Sequence, residues 1–406
     1  MASVKNIVVV GGGIAGVSTV GALRAGGFDG DVTLVDAGEF PYDRPPLSKE
    51  YLCGKSDFKQ LALQSPEWYD QNDVRLRNFT TVTAVRPADG GIELSDGTVA
   101  RADRVVLATG GRAARPPIPG ADSDRVHLLR TCVDADRLRD KLGPAARVLV
   151  VGAGLIGAEV ASTAVDLGCD VVLVDPVPIP LAGAVGTDVA TWLHCQHGVR
   201  GVSTVTAGVR SLRATPTGIE ATLTDESCPR SFDVVVLGVG MVPETELAEA
   251  AGLEVDRGIV VDEYQRTSNP AVLAVGDPTR LRRGGVLQPR AEHWDAAQRD
   301  GARAAAAILS APTPADTAAW FWTDRHGHHV EAVGRMADAE RTVTRGVFGG
   351  DSFACFGLRG DTVVGAVAVD DANAVRAARR MIDRSLPIDP ARLADTSVEL
   401  RKLLRS

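Results

Sequence analysis

The chain contains two copies of one strand–turn–helix–strand pattern, and this duplication constrains the fold more than any other feature. The first copy runs from Asn6 to Asp36 and the second from Arg147 to Asp175. Each begins with a continuous apolar run, which is typical of a parallel strand buried on both faces. Each then turns through G-x-G-x-x-G and ends in an aspartate after a second apolar strand. The pattern predicts an α/β chain with two Rossmann-like dinucleotide-binding domains.

The glycines of each turn have separate roles in holding a dinucleotide. The first makes the tight turn, the second lets the backbone approach a pyrophosphate, and the third lets the helix pack closely on the strand. The helix N-terminus offers free N–H groups to the diphosphate, and the aspartate can accept hydrogen bonds from a ribose. One such turn could be purely structural, but two complete units favour two bound dinucleotides. The residues are Gly11, Gly13, Gly16 and Asp36, then Gly152, Gly154, Gly157 and Asp175.

Length and charge disfavour several other classes of protein. A chain of 406 residues is too long for one ordinary domain. Its net charge of -8 argues against a general nucleic-acid binder, which needs a basic face. No uninterrupted apolar stretch reaches the roughly 18 residues that span a bilayer, so we expect no membrane segment. A strand begins at Asn6 with no charged leader before it, and we therefore expect a cytoplasmic protein.

The cysteines and histidines do not form a recognisable metal motif. Six cysteines lie at positions 53, 132, 169, 195, 228 and 355, without a C-x-x-C pair. This spacing disfavours a disulfide framework or a zinc site, and reduced thiols are the simpler interpretation. His326-Gly-His-His329 has no companion cysteine, so we expect no metal there.

Three further segments give the chain a family resemblance. They read Arg44-Pro-Pro-Leu-Ser-Lys49, Glu292-His-Trp294 and Trp320-Phe-Trp-Thr-Asp324. Over essentially its whole length, the chain resembles the FAD-dependent ferredoxin reductases of bacterial oxygenase systems, within the pyridine-nucleotide disulfide oxidoreductase superfamily. The resemblance implies a glutathione-reductase-like fold with an added C-terminal α+β domain, and it implies FAD and NADH as cofactors.

The order of these segments predicts a nested domain plan. We expect the FAD-binding domain at residues 1–110 and 241–315, and the NAD-binding domain at residues 111–240. A C-terminal domain would follow at residues 316–406. The proline-rich segment Pro116–Pro119 marks the first crossing between domains.

The resemblance implies that the first copy, two later strand ends and the Glu-His-Trp segment hold FAD. Lys49 is a catalytic candidate, because a cation near the reactive edge of a flavin stabilises the negative charge of its reduced form. The alternative for Lys49 is a solvated surface lysine. The implied FAD residues are Gly11, Gly13, Gly16, Asp36, Arg44, Lys49, Ala108, Thr109, Gly110, Arg112, Gly276, Asp277, Glu292, His293 and Trp294.

The second copy is then expected to bind NADH. Asp175 favours NADH over NADPH, because a 2′-phosphate would meet a carboxylate, and Pro176–Pro180 supplies no arginine. Glu159 is the second catalytic candidate and would position the nicotinamide; the alternative is an acid that complements the helix dipole. Leu155 stands where relatives usually carry an aromatic residue that covers the flavin. The implied residues are Gly152, Gly154, Leu155, Ile156, Gly157, Glu159, Asp175 and Gly240.

The cysteines and the family resemblance both bear on the identity of the electron acceptor. Disulfide reductases of this fold need a pair of redox cysteines early in the FAD domain, where this chain has only Cys53. The resemblance implies a 2Fe–2S ferredoxin that supplies a haem-thiolate or Rieske-type oxygenase. Arg290, Trp294 and Trp322 are the docking candidates, with core packing as the alternative for the tryptophans.

Two other functions stay open at this point. One is an NADH oxidase or peroxidase, or a reductase of another carrier such as rubredoxin, and Leu155 favours the oxidase slightly. The other is a non-enzymatic redox sensor or interaction protein that binds FAD and NAD. The oligomeric state is also open between a monomer and a weak homodimer.

Overall fold

The computed structural model describes residues 4–87 and 90–404. In chain order the strands are β1 (Asn6–Val10), β2 (Asp31–Val35), β3 (Val74–Arg77), β4 (Val82–Arg86), β5 (Gly91–Leu94), β6 (Val99–Arg101), β7 (Arg104–Leu107), β8 (Gly111–Ala113), β9 (Val126–His127), β10 (Arg147–Val151), β11 (Asp170–Asp175), β12 (Ser203–Thr206), β13 (Val209–Thr215), β14 (Gly218–Leu223), β15 (Arg230–Phe232), β16 (Val234–Leu237), β17 (Met241–Pro243), β18 (Ile259–Val261), β19 (Val272–Ala274), β20 (Thr279–Arg283), β21 (Val286–Leu287), β22 (Trp320–Arg325), β23 (His328–Gly334), β24 (Arg341–Gly346), β25 (Phe353–Arg359) and β26 (Thr362–Val369). The helices are α1 (Ile14–Ala25), α2 (Pro66–Gln71), α3 (Cys132–Arg139), α4 (Leu155–Asp166), α5 (Ala182–Val185), α6 (Thr187–Val199), α7 (Glu246–Ala250), α8 (Trp294–Leu309), α9 (Ala372–Asp383), α10 (Pro390–Ala394) and α11 (Leu400–Leu403). Short 3-10 turns occupy Pro45–Ser48, Phe58–Leu61 and Met336–Asp338.

The chain forms two compact units, which we describe separately. Unit 1 comprises Met1–Arg44, Asp57–Arg112 and Met241–Ala315, and unit 2 comprises Pro45–Ser56, Ala113–Gly240 and Asp316–Ser406. The C-terminal residues therefore form one compact unit with the second copy of the strand–turn–helix–strand pattern. The boundaries of the three-domain plan stay a prediction.

Unit 1 is built on a five-stranded sheet in the order β19-β7-β1-β2-β3. β1 pairs in parallel with both β2 and β7, and Ile7–Val10 are buried. A valine run suits this central strand, because β-branched side chains pack well on both faces of a pleated strand. Residues of α1 and α8, such as Val20 and Ala304, pack on one face of the sheet. The small sheet β4-β5-β6 shares a core with the other face.

Part of unit 2 repeats this plan with the second copy. Its five-stranded sheet has the order β12-β11-β10-β16-β9, and β10 pairs in parallel with both neighbours. Val148–Val151 of β10 are buried, as are Val160 and Ala164 of α4. The small antiparallel sheet β13-β14-β15 contributes Ile219 and Leu223 to a core that also contains Leu149 and Val151 of β10.

The C-terminal part of unit 2 is an antiparallel sheet in the order β22-β23-β26-β25-β24. Val375 and Met381 of α9 pack with Phe356 in one core. Val189 of α6 packs with Phe353 in another, because successive side chains of a strand point to opposite faces. β22 lies at the edge of the sheet, so one side of its backbone is open to other partners.

The predicted fold class is confirmed: two parallel-sheet Rossmann-like folds accompany a C-terminal α+β fold. No helix within the described residues has the length and apolar character of a membrane span.

The contact between α1 and α8 in unit 1 depends on Gly301. A Cβ at this position would lie 2.7 Å from Ala15 O and 2.8 Å from Thr19 N, and backbone atoms cannot move aside easily. We expect Gly301→Ala to lower the free energy of unfolding by about 1–3 kcal/mol, as overpacked contacts do. Urea denaturation followed by circular dichroism measures this change.

Gly198→Ala is the matched control, because no described heavy atom outside its own helix backbone and chain neighbours lies within 4 Å of its Cβ position. Alanine favours a helix over glycine by up to about 1 kcal/mol, so this variant should be neutral or slightly more stable. Equal losses in both variants would contradict the role given to Gly301.

Candidate functional site

The first glycine turn of unit 1 brings strand and helix unusually close. Gly11 has φ +108°, and a Cβ there would lie 2.3 Å from Ala108 O. A Cβ at Gly16 would lie 2.0 Å from Gly11 O, so α1 packs directly on the turn. α1 begins after Gly13, and no described side chain caps its first N–H groups. These groups are therefore available to an anion.

Asp36 and Arg44 lie on either side of this turn. The Asp36 carboxylate accepts hydrogen bonds from Gly12 N at 2.5 Å and Gly38 N at 2.7 Å. Arg44 Nη1 lies 2.8 Å from the Cβ position of Gly13. Its buried Nε has no hydrogen-bond partner among the described residues. A cradle of glycine backbone beside an unsatisfied guanidinium fits the diphosphate of a dinucleotide.

The two strand ends predicted for FAD also lie in unit 1. Thr109 Oγ1 donates to Glu244 O at 2.7 Å, Gly110 O accepts from Glu244 N at 3.0 Å, and Arg112 pairs with the Glu244 carboxylate at 3.1 Å. Gly276 has φ +76°, and its Cβ position lies 2.9 Å from Ala15 Cβ. Asp277 follows it and is half-buried. The glutamate at 244 thus closes the loop after Gly110.

The Glu-His-Trp segment leads into α8. Glu292 pairs with Arg290 at 2.5 Å, and His293 is the residue before the helix. Burial lowers the pKa of His293, although the Asp277 carboxylate opposes this shift. Trp294 Nε1 donates to Asp43 at 2.9 Å. Only 18% of the Arg290 side chain is exposed, so Arg290 is a less suitable docking cation than a fully exposed arginine would be.

Sequence reasoning missed a buried acid beside this segment. Burial raises the pKa of Asp300 to about 6, and the carboxylate accepts from Gly276 N at 3.3 Å. It also accepts from Gln265 Nε2 at 3.1 Å. The signal was an acid on the inner face of a helix, since α8 buries its small residues on that side.

The second glycine turn, in unit 2, has the same geometry as the first. A Cβ at Gly152 would lie 2.4 Å from Gly238 O, and one at Gly157 would lie 1.9 Å from Gly152 O. The Cβ position of Gly154 has no described heavy atom within 4 Å, which leaves space for a ligand. Asp175 accepts hydrogen bonds from Ala153 N at 2.7 Å and Val177 N at 2.8 Å.

Three further NAD candidates lie in unit 2. Leu155 opens α4 and is half-buried, while Ile156 is exposed. Gly240 has φ +107° and open space at its Cβ position within the described residues, and its carbonyl accepts from Ala114 N at 2.9 Å. The second turn therefore fits a dinucleotide in the same way as the first.

A buried charged cluster in unit 2 brings together Lys49 and Glu159, which lie far apart in sequence. The side chains of Lys49 and Glu159 are only 10% and 5% exposed, and Lys49 Nζ lies 3.7 Å from Glu159 Oε1. Lys49 Nζ also donates to Asp324 Oδ2 at 2.7 Å. Lys49 is therefore not a solvated lysine, and Glu159, which lies beyond the first turn of α4, does more than complement the helix dipole.

Two hydroxyl groups complete the environment of Glu159. The carboxylate accepts from Ser48 Oγ at 2.5 Å and Thr323 Oγ1 at 2.8 Å, and from Asp324 N at 3.3 Å on the open edge of β22. Burial raises the pKa of Glu159 above its usual value, while Lys49, Ser48 and Thr323 oppose the rise. The adjacent motifs contain Ser48, Thr323 and Asp324, but the local pattern did not show that they meet.

The tryptophans of β22 lie beside this cluster. Trp320 and Trp322 stack with ring centroids 4.9 Å apart, and Lys49 Nζ lies 5.5 Å from the Trp322 ring centroid. Trp322 is half-buried. Its ring therefore packs on Trp320 and is also partly exposed to solvent.

The three histidines at 326, 328 and 329 face different partners. His326 is buried against His197, with Nε2 and Nδ1 2.8 Å apart. His328 and His329 bond to Asp370 and Asp324, at 3.1 and 2.5 Å. Within the described residues, no group of three or more His, Cys, Asp or Glu side chains is arranged to hold a metal ion.

Comparison with known proteins defines the class of protein. Residues 5–301 match the family described as pyridine nucleotide-disulphide oxidoreductase, and residues 320–404 match the reductase C-terminal family. The chain is 37% identical to the anthranilate 1,2-dioxygenase system ferredoxin–NAD(+) reductase component of Burkholderia cepacia, over 99% of this chain and 100% of that protein. It is 35% identical to putidaredoxin reductase of Pseudomonas putida, over 98% of this chain and 96% of the relative.

Solved structures agree with these relatives. The covalent putidaredoxin reductase–putidaredoxin complex gives a TM-score of 0.91 at 32% identity and covers 99% of both chains. The water-forming NADH oxidase from Lactobacillus brevis gives 0.84 at 22% identity, over 99% of this chain and 98% of that one, which is a likeness of fold.

The two dinucleotide folds and the buried lysine–carboxylate cluster define an oxidoreductase of the flavin- and nicotinamide-dependent class. More particularly, the chain belongs to the pyridine nucleotide-disulphide oxidoreductase family, in the branch that carries the reductase C-terminal domain. The predicted family and the predicted cofactors, FAD and NADH, are confirmed.

The raised pKa of Glu159 gives a prediction about stability. The folded protein holds a proton on this carboxyl more strongly than the unfolded chain, so the ionised group destabilises the fold as pH rises through its folded pKa. We expect Glu159→Gln to raise the free energy of unfolding at pH 7.5, because the neutral amide does not carry the desolvation cost of a buried carboxylate. Lys49 keeps Asp324 as its partner, so its charge stays paired.

Urea denaturation of the FAD-loaded protein at a fixed excess of FAD measures this gain, which should shrink towards pH 5. Glu263→Gln, which removes an exposed carboxylate paired with Arg283, is the control and should change stability by less than about 1 kcal/mol. A Glu159→Gln protein that is less stable than wild type at pH 7.5 would contradict the assigned direction.

Proposed function

We propose that this protein is an NADH:ferredoxin oxidoreductase that supplies electrons to a haem-thiolate or Rieske-type oxygenase through a 2Fe–2S ferredoxin. The observation that carries the proposal is the match along nearly the whole chain to reductases named for ferredoxin or putidaredoxin. The chain also lacks the cysteine pair of a disulfide reductase, since Cys53 is the one cysteine before residue 132.

The first glycine turn is the proposed site of the FAD diphosphate. Gly11 and Gly13 leave the backbone bare, and the first N–H groups of α1 have no described side-chain cap. Arg44 has an unsatisfied buried Nε beside this turn. We propose that Asp36 binds the adenosine ribose, since each carboxylate oxygen can accept a second hydrogen bond. Ala108, Thr109, Gly110, Arg112, Gly276, Asp277, Glu292, His293 and Trp294 stay predicted FAD contacts.

The second turn is the proposed site of NADH. Gly152, Gly154 and Gly157 repeat the open cradle, and Asp175 repeats the position of Asp36. Leu155, Ile156 and Gly240 stay predicted contacts of the nicotinamide half.

Lys49 and Glu159 are the proposed catalytic residues. When bound, FAD accepts a hydride equivalent from NADH and can release its electrons singly. We propose that the Lys49 ammonium stabilises the negative charge gained on reduction. Glu159 fixes this ammonium from one side and holds Ser48 and Thr323 in place through its two oxygens. Because the cluster is buried, these charges act in a medium of low polarity and are weakly screened.

Three residues are the proposed docking candidates for the ferredoxin. Trp294 and Trp322 remain docking candidates, and so does Arg290, although Glu292 offsets its charge. Cytoplasmic location and a monomer or weak homodimer also stay predictions.

An anaerobic stopped-flow experiment tests the function. The FAD-loaded protein is mixed with NADH, and a 2Fe–2S ferredoxin is then added. We expect the flavin absorbance to bleach and the ferredoxin to be reduced afterwards. Bleaching without transfer, with rapid consumption of oxygen in air, would favour the NADH oxidase that Leu155 suggests. No bleaching would contradict NADH as the donor.

The same assay tests the docking role of Arg290. Arg290→Glu should slow ferredoxin reduction by roughly tenfold and leave ferricyanide reduction nearly unchanged, because charge at a docking surface mainly sets encounter rate. Arg257→Glu, an 80% exposed arginine in unit 1, is the charge-matched control. Equal loss with both acceptors would place Arg290 in the fold or the flavin site.

Asp175 gives a prediction about nucleotide preference. Asp175→Ala should raise the KM for NADH by roughly tenfold or more, since a hydrogen bond to a charged group contributes about 1.5–3 kcal/mol. The preference for NADH over NADPH should narrow, because the 2′-phosphate no longer meets a carboxylate. Steady-state kinetics with both nucleotides measure this, and Asp170→Ala, at the opposite end of β11, is the control. An unchanged preference would remove the specificity role of Asp175.

A further inference from the structure

One carboxylate in unit 2 is shared between a buried lysine and a more exposed histidine. Lys49 Nζ lies 2.7 Å from Asp324 Oδ2, and His329 Nδ1 lies 2.5 Å from Asp324 Oδ1. Burial acts to raise the pKa of Asp324, but the hydrogen bonds from Lys49 and His329 hold this pKa below its usual value. Asp324 therefore stays ionised, and its charge is divided between the two partners.

The register of two strands fixes this arrangement. Asp324 of β22 lies directly opposite His329 of β23, and Trp322 lies opposite Glu331. Side chains of such directly opposed residues are neighbours on one face of an antiparallel pair. Lys49 lies over the Trp322 ring, so the ammonium is held beside the same pair of strands. The contact between Asp324 and His329 thus follows from backbone pairing.

His329 connects the buried ammonium with solvent. Its side chain is 43% exposed, against 10% for Lys49. The second ring nitrogen, Nε2, lies 3.5 Å from Glu331 Oε1, and the backbone N–H donates to Asp370 at 3.0 Å. The charged groups around the imidazole are therefore Asp324 from β22, Glu331 from its own strand and Asp370 after β26, with Lys49 and Glu159 beyond Asp324. Histidine is the side chain that ordinarily changes charge between about pH 5 and 8.

We propose that Asp324 and His329 are positioning residues that couple a proton taken from solvent at His329 to the effective charge of Lys49. A proton from water adds to the ring nitrogen of His329 that carries none; no covalent bond of the protein breaks and no electron moves. Asp324 then lies between two cations, so less of its negative charge offsets the ammonium. A more positive Lys49 environment stabilises reduced FAD, and this last step rests on the catalytic role proposed for Lys49.

The first test is the pH dependence of the flavin midpoint potential in the FAD-loaded protein. His329→Asn keeps an amide donor near the position of Nδ1 but cannot be protonated. We expect the wild-type potential to exceed that of the variant at pH 5.5 and the two to converge by pH 8.5. The expected gap is a threefold to tenfold change in the reduced-to-oxidised ratio, or roughly 15–30 mV for a two-electron couple.

His328→Asn is the matched control. This neighbouring histidine bonds to Asp370, 3.1 Å away, so its variant should follow the wild-type curve. A gap that is constant with pH, or that His328→Asn shares, would overturn the proposal. Electrons come from an enzymatic reductant through mediator dyes, so the outcome depends on neither NADH nor ferredoxin. A failure of the stopped-flow assay is thereby distinguished from a failure here.

The second test measures the coupling between Asp324 and His329 without any redox step. NMR titration of the His329 imidazole in the oxidised, FAD-loaded protein gives its protonation midpoint. Asp324→Asn should lower this midpoint, because a neighbouring carboxylate stabilises the imidazolium. A midpoint that Asp324→Asn leaves unchanged would overturn the proposal.

Discussion

Both dinucleotide cradles depend on a helix that approaches a strand more closely than any side chain permits. A Cβ at Gly16 or Gly157 would lie within about 2.0 Å of a carbonyl oxygen in the preceding turn. Close packing at this point aims the first turn of the helix at the end of the sheet. It leaves the helix N–H groups open to a diphosphate and brings the aspartate at the end of the next strand against the same turn. One backbone arrangement thus supplies the cradle for each cofactor.

The two copies differ in the segments that pack against the first helix of each copy. In unit 1, α1 packs against α8, and Gly301 approaches the backbone of Ala15 and Thr19. Ser18 of α1 occupies the position of Glu159 in α4, two residues after the third glycine. In unit 2, α4 contacts the 3-10 turn Pro45–Ser48 and β22. A small polar residue suits a close helix contact, whereas an acid suits a site that supplies hydroxyl, ammonium and edge N–H donors. The duplicated fold therefore became two different sites through contacts outside the duplicated unit.

These contacts explain which features of the structure could be predicted from the sequence and which could not. The glycine turns, the buried valine strands and their aspartates follow from local periodicity, and the structure contains them all. The partners of Glu159 do not follow, because Ser48 and Thr323 are brought to it by packing between distant segments. Arg290 stays a predicted docking cation, and its ion pair with the acid two residues later did not follow from the sequence pattern. His326 lies in the turn between β22 and β23 and contacts His197, whereas His329 of β23 contacts Asp324, so histidines that are close in sequence have different partners.

The buried cluster is poorly explained by stability alone. Removing an ammonium and two carboxylates from water has a large desolvation penalty, and apolar residues of similar size often give a fold that is equally or more stable. The raised pKa of Glu159 shows that burial outweighs the favourable contacts of that carboxylate. Asp324 is half-exposed on the solvent side of Lys49. Its pKa is lowered, so here the favourable contacts outweigh the effect of burial. Lys49 therefore lies between a carboxylate that its surroundings tend to neutralise and one that they keep ionised. A cation in this position is held firmly, which suits the charge-stabilising role proposed for Lys49.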